Sequence, residues 1–352
     1  DLPVITWKMG STWGDGNIHF TCDERFSELV SQLTDGRFTI TNYPEGSLCA
    51  ANQLFDYVQN GTIQCGGDWG GYWSGKDTAF ELLSTTMDNF TGMDYYIWIT
   101  QGGGLKCYQD MYGKYNMTYF PIMINHAESG IRSTKPITSI KDMQSMKIRL
   151  GGVMAGRAAE KLGINITTVA ASELYESLQR GVIDGGEFST PCSDDSLKLQ
   201  EVAKYWCSPA WYQSGGVNGV MINKDAWNEL PEEYQNAIQM AAEICTSEQL
   251  SRYLWMDFDS TKKMLEEDGC VVTKMNQDDW NTIRETCRQV YEELRRMKTS
   301  TWYTALCRIT VNMPIPTAQC SVTTAGASTT MNPKSDRQSV PCSLLRARSL
   351  RR

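Results

Sequence analysis

Arg149 and Glu187 are the residues whose chemistry and setting point most directly to a ligand. They bracket the stretch Met146–Asp195. Met146–Leu150 reads as a short strand that projects Arg149, and the Asp184–Gly186 turn presents Glu187. A guanidinium suits an anion and a carboxylate suits a cation. Between them the pattern predicts a small-residue helix over Val153–Leu162 and an apolar strand over Ile164–Ala170. A helix over Glu173–Arg180 follows, with Ser172 as its N-cap and Gly181 as its stop. Strand–helix–strand–helix–strand spacing implies a parallel α/β sheet, whose ligands gather at the carboxyl ends of strands. Both residues fall where strands run out, so both can face one crevice. A purely structural Arg–Glu pair accounts for the two residues equally well.

Other patterns exclude more than they assign. Gly70–Asp77 (Gly-Gly-Tyr-Trp-Ser-Gly-Lys-Asp) nearly spells a phosphate-binding loop. Asp77 stands where a hydroxyl must hold magnesium, Tyr72 and Trp73 fill a loop that should be bare backbone, and no strand is expected to run into it. Two readings remain for its aromatics, the wall of a small-molecule pocket and a plug for the lobe. Gln101–Gly104 lacks the GxGxxG spacing. Twelve cysteines contain no C-x-x-C pair and the histidines are only His19 and His126, which argues against a zinc site. In an oxidising compartment some cysteines could pair, Cys192 with Cys207 for example. A metal-assisted hydrolase or lyase acting on a small carboxylate with Glu187 as base, or a serine hydrolase, is the rival class. The chain has no G-x-S-x-G, and neither histidine has an acidic partner nearby in sequence.

The elements that must hold these residues follow from length and periodicity. At 352 residues the chain exceeds one ordinary core, so two lobes are expected. Composition is globular, with 41% hydrophobic and 21% charged residues, and a net charge of −8 makes no case for nucleic acid. No apolar run reaches the roughly 18 residues of a membrane span. A start at Asp1 fits a mature chain whose leader has been removed. Strands are predicted at Leu2–Trp7, Phe38–Tyr43, Phe120–Asn125 and Val217–Asn223, and helices at Phe20–Leu33 and Ala50–Asn60. His126–Arg132 and Cys207–Gly216 read as crossings between lobes. From Pro231 nothing breaks a helical pattern until Gly269, which at about 1.5 Å per residue outruns a single lobe. A break near Cys245–Ser247 is the alternative. A final helix covers Asp278–Met297. Beyond it, 298–352 is rich in Ser, Thr and Pro and carries eight basic residues against Asp336 alone, a net +7. Such a segment is expected to be disordered or foreign to the domain, with anion-surface binding as the functional alternative.

Several segments, in order, resemble a known family. They are Thr34–Phe38, Tyr43–Gly46, Tyr72–Lys76, Met146–Arg149, Glu173–Glu187 and Met221–Trp227. The set is similar to the extracytoplasmic solute-binding subunits of TRAP (tripartite ATP-independent periplasmic) transporters over about Trp7 to Met297, nearest those taking 2-oxo and 2-hydroxy acids. The resemblance implies a periplasmic binding protein with two α/β lobes, a long helix spanning both, and no catalysis. Its partners would be a small organic acid and the TRAP membrane permease subunits, with a homodimer as a possible assembly. A ligand-sensing domain of a receptor system would share the fold. The implied lobes are 1–124 plus 213–250, and 125–212 plus 251–297. Arg149 matches the arginine that clamps the ligand carboxylate. Tyr72, Trp73, Asn125 and Trp211 match pocket walls. Glu128, Glu187, Gln213 and the carbonyl of Phe188 match positions that hold a bridging ion, and all-oxygen donors imply sodium or calcium. Position 128 is commonly Gln in that group, so Glu128 adds a negative charge that would favour a divalent ion.

Overall fold

The computed structural model describes residues 2–167 and 169–296; the basic segment 298–352 lies outside the described residues. Ten strands are found among them: β1 (Ile5–Ser11), β2 (Phe38–Tyr43), β3 (Cys65–Trp69), β4 (Met117–Asn125), β5 (Ile131–Ser133), β6 (Ile148–Arg149), β7 (Gly185–Gly186), β8 (Tyr205–Cys207), β9 (Gly216–Asn223) and β10 (Val271–Thr273). They form two five-stranded sheets, in the orders β2-β1-β3-β9-β4 and β10-β8-β5-β7-β6. Each sheet is the floor of one lobe, so the fold is α/β and two-lobed.

Both sheets are mixed, which corrects the expectation of a parallel one. β1 runs parallel to β2 and β3, but β9 is antiparallel to both β3 and β4. In the second sheet β6 and β7 are parallel while β5 opposes β7 and β8. The antiparallel pairs arise where the chain passes from one sheet to the other and meets its new neighbours head-on. β9 is buried at every position, as expected of a strand covered on both faces.

Several boundaries moved. β1 extends to Ser11, four residues past the predicted end. The predicted strand Ile164–Ala170 reduces among described residues to one bridge, Ile148 to Ile166, because its partner β6 is only two residues long. Ser172 caps nothing. It lies in a 3-10 turn, Ala171–Glu173, and no side chain caps the helix Leu174–Gln179 that follows. Gly181 does end that helix region at φ +68°, a left-handed conformation that glycine adopts without a Cβ penalty. Cys192 and Cys207 are both free and buried, so that pairing does not form.

The long helix runs unbroken over Glu232–Glu266, 35 residues and roughly 52 Å, with no interruption at Cys245–Ser247. It packs on β4 and the helix Ile18–Leu33 of the first lobe, then on Pro191–Ser196 of the second. Thr246 donates to the carbonyl of Pro121 at 2.8 Å, and Lys263 pairs with Asp195 at 2.6 Å. Its low amphipathicity follows from this path, since different faces are buried along its length. No described helix is long and apolar enough to cross a membrane.

Candidate functional site

A cavity of about 430 Å³ opens where the carboxyl ends of the two sheets meet. The first lobe lines it with Trp13, His19, Trp69, Tyr72, Asn125 and Asn218. The second lobe and the crossings supply Glu128, Arg149, Glu187, Phe188, Ser189 and Gln213. Aromatic rings therefore face a cluster of charge, the usual composition of a pocket for a small polar molecule.

Arg149 ends β6 and Glu187 follows β7, two parallel neighbours in register, Arg149 beside Gly186. A Cβ on Gly186 would lie 2.7 Å from Leu174 Cδ1 and 3.4 Å from Arg149 Cβ, so only glycine lets Leu174 and the neighbouring strand pack this closely. Arg149 Nη1 donates to Glu187 Oε1 at 2.6 Å and to the Glu187 carbonyl at 2.5 Å, while Nε donates to the Val169 carbonyl at 3.3 Å. Nη2 makes no hydrogen bond with the described residues. Glu187 Oε1 also accepts from the Gly151 amide. The structural Arg–Glu pair is therefore present, and both of its residues line the cavity.

Three buried oxygens around this pair have no hydrogen-bond partner: Glu187 Oε2, Glu128 Oε2 and Asn125 Oδ1. An orphaned buried acceptor costs about 1–3 kcal/mol, more when charged. Burial, and then the negative Glu187 and Asp194 nearby, hold the Glu128 carboxyl well above its usual range, with Arg149 opposing. Glu128 is positioned by its own amide, which donates to the Gln213 carbonyl at 3.2 Å. Among the described residues no group of three or more His, Cys, Asp or Glu converges as a metal cluster. The donor set is two carboxylates with amide and carbonyl oxygens, which fits a hard cation.

Seven of the predicted residues share this cavity: Arg149, Tyr72, Asn125, Glu187, Glu128, Phe188 and Gln213. Trp73 and Trp211 do not line it, which corrects both assignments. Trp73 turns into the first lobe, where its indole donates to the buried Asp68 and its ring lies 5.2 Å from Phe55. Trp211 is buried with its ring edge-on to Tyr212. Tyr72 keeps to the cleft, 46% exposed and edge-on to Trp69. The aromatic loop is therefore half wall and half plug. β3 does run straight into it, contrary to expectation, but Asp77 and the bulky rings still exclude a phosphate loop.

Trp13, His19 and Trp69 were missed. His19 is held beside Trp13 and stacked on Tyr253 of the long helix, with Nδ1 hydrogen-bonded to its hydroxyl at 3.0 Å. Burial pushes its pKa down to about 3, so it is a neutral polar group at the wall. The carboxyl-end rule would have found Trp13 had β1 been read to Ser11.

Two lobes, a helix bound to both and a charged cleft between them define a solute-binding receptor of the periplasmic type. The chain belongs to the bacterial extracellular solute-binding protein family 7, whose model matches residues 9–297. It is 30% identical over 292 residues to a monocarboxylate 2-oxoacid-binding periplasmic protein of Nostoc, covering 83% of this chain and 80% of that one. A TRAP transporter solute-binding protein from Bordetella bronchiseptica has a TM-score of 0.80 at 26% identity, covering 87% of this chain and 93% of that chain. That structure is a mixed-occupancy dimer with copurified calcium and picolinate in its active site. A TRAP periplasmic solute-binding protein from Pseudoalteromonas atlantica, with bound sodium and pyruvate, has a TM-score of 0.79 at 24% identity, covering 87% and 92%. This chain is accordingly the extracytoplasmic, periplasmic solute-binding component of a TRAP transporter, working with a membrane permease. The family consists of transport receptors, and the enzyme reading falls with it.

Proposed function

We propose that the receptor captures a small 2-oxo or 2-hydroxy acid together with a bridging sodium or calcium ion. The observation that carries this is the meeting, in one cavity, of an Arg149 nitrogen without a described partner and three buried oxygens that lack donors. Arg149 would take the solute carboxylate through a guanidinium fork already aligned by Val169 and Glu187. Glu128, Glu187, Gln213 and the Phe188 carbonyl would hold the ion, which supplies positive charge between the carboxylates and the solute oxygens. The Nostoc relative, a monocarboxylate 2-oxoacid-binding protein, supports the solute class, and the calcium and sodium in the two solved relatives support the ion.

Binding without chemistry is sufficient for this role. The lobes close on the solute and exclude water, and the permease reads the closed form. Sheet membership supports lobes near 1–124 plus 213–250 and 125–212 plus 251–297, except that Asn125, the last residue of β4, goes with the first sheet. A homodimer is supported by Trp255 and Phe258 of the long helix, 67% and 62% exposed, and by the dimeric Bordetella relative. Light scattering showing a monomer at micromolar concentration would remove the dimer.

A thermal-shift screen of small carboxylates, with and without chelator, tests the main reading. The expected result is stabilisation by 2-oxo acids that chelation abolishes. Stabilisation only by sugars or amines would reject it.

A further inference from the structure

The helix Val153–Lys161, which follows Arg149 in the second lobe, begins at Gly152 with no side chain of its own to cap it. Its first amides are met instead by a residue of the other lobe. Glu81 sits on the helix Ala79–Ser84, which packs on β9 and on Gly104–Gly113 of the first lobe. Its Oε1 accepts from the Met154 amide at 2.8 Å, and the Val153 amide also bonds the carboxyl. Gly152 makes room for this contact, since a Cβ there would lie 2.6 Å from Glu81 Oε1, at a φ of +92°. We propose that Glu81 is a positioning residue for closure, a latch carried by one lobe that caps the other lobe's helix only when the cleft is shut.

The segment between the two functions is short. Arg149 lines the cavity, Gly151 holds Glu187, and Val153 and Met154 hold Glu81. On the reading of Arg149 as the solute clamp, fixing that guanidinium also places the helix end against the latch. Charge at a helix N-terminus favours a carboxylate, yet here burial wins. Glu81 is buried, its Oε2 has no partner, and its pKa is raised to about 7, with the Met154 and Val153 amides and Arg157 opposing. The titratable groups facing it are Arg157 on the capped helix and Tyr291 on Gln277–Arg296. An open cleft would return the carboxyl toward 4.5, so closing takes up a proton. Solute affinity then falls as pH climbs from about 5 to about 7 and levels off above that.

Amide hydrogen exchange at Val153 and Met154 in protein saturated with pyruvate and calcium, the state in which the cleft is shut, reads the latch directly. Pyruvate affinity with calcium, measured from pH 5 to 8.5, reads its consequence. In Glu81→Ala the two amides should exchange at least about tenfold faster and pyruvate should bind about tenfold more weakly. Glu81→Gln keeps an acceptor for Met154, so protection at pH 7 should persist while affinity loses its fall between pH 5 and 7. Unchanged protection in Glu81→Ala, or an unchanged pH profile in Glu81→Gln, overturns the latch. Failure of the wild type to bind pyruvate would count against the solute reading alone, because the exchange comparison can then be made with any other acid of the carboxylate screen that shuts the cleft.

Discussion

One nitrogen of Arg149, Nη1, donates to two oxygens of the same residue, the Oε1 and the carbonyl of Glu187, at 2.6 and 2.5 Å. The guanidinium is 12% exposed and the carboxylate 1%, so the pair is screened from water on all sides but the cavity. The guanidinium is thereby fixed by the protein's own acceptors, with Nη2 outside those bonds. Arg149→Ala should weaken binding of the solute acid by roughly 10–100-fold, the worth of a charge-assisted fork. It should also lower the melting temperature, since an unpaired buried carboxylate costs about 3–5 kcal/mol. Arg149→Lys should restore much of the stability and little of the affinity, because an ammonium lacks the fork. Calorimetric titration alongside thermal melts separates the two effects.

Glu128 would add a second carboxylate to the proposed ion site. Glu128→Gln leaves Glu187 as the single carboxylate of the proposed ion site, and calcium affinity should drop by an order of magnitude or more while sodium is less affected. The check is titration of chelator-treated protein with each ion. Equal losses for the two ions would count against Glu128 as a ligand.

Asp68 should make the fold sensitive to pH. Burial raises its pKa to about 7, against hydrogen bonds from Trp73, Tyr112 and Tyr119, while the unfolded chain titrates near 3.8. The folded state therefore holds a proton that the unfolded state releases, and stability is lost as pH rises from about 4 to about 7. Asp68→Asn should flatten that part of the curve of melting temperature against pH. A slope identical to the wild type would show that Asp68 is ionised in the fold.

Tyr72 and Trp73 are adjacent and should behave oppositely. Trp73→Phe deletes a buried donor to Asp68 and should cost about 1–3 kcal/mol of stability with little change in solute affinity. Tyr72→Ala removes half-exposed cleft surface and should change affinity with little change in melting temperature. Denaturant unfolding and solute titration on both variants test the contrast.

Periodicity and punctuation made most of the chain legible without coordinates. Phe38–Tyr43 was bounded to the residue, and the long helix was visible because Pro231 opens it and no breaker intervenes. Arg149 and Glu187 could be found because each follows a recognisable strand or turn. β3 was hidden because its Cys-Gly-Gly-Asp-Trp has poor strand propensity. Its glycines answer to packing from elsewhere, for a Cβ on Gly67 would lie 2.1 Å from Asp23 Oδ2 and one on Gly66 3.0 Å from Met221 Cε. What the sequence determined by itself was local: where elements start and stop, and which residue types stand at strand ends. Only the tertiary structure decided which of two neighbouring tryptophan or tyrosine rings meets the cleft, that both sheets are mixed, and that Glu81 caps a helix over seventy residues away. Those outcomes depend on contacts between segments distant along the chain, and a short-range period carries no record of them.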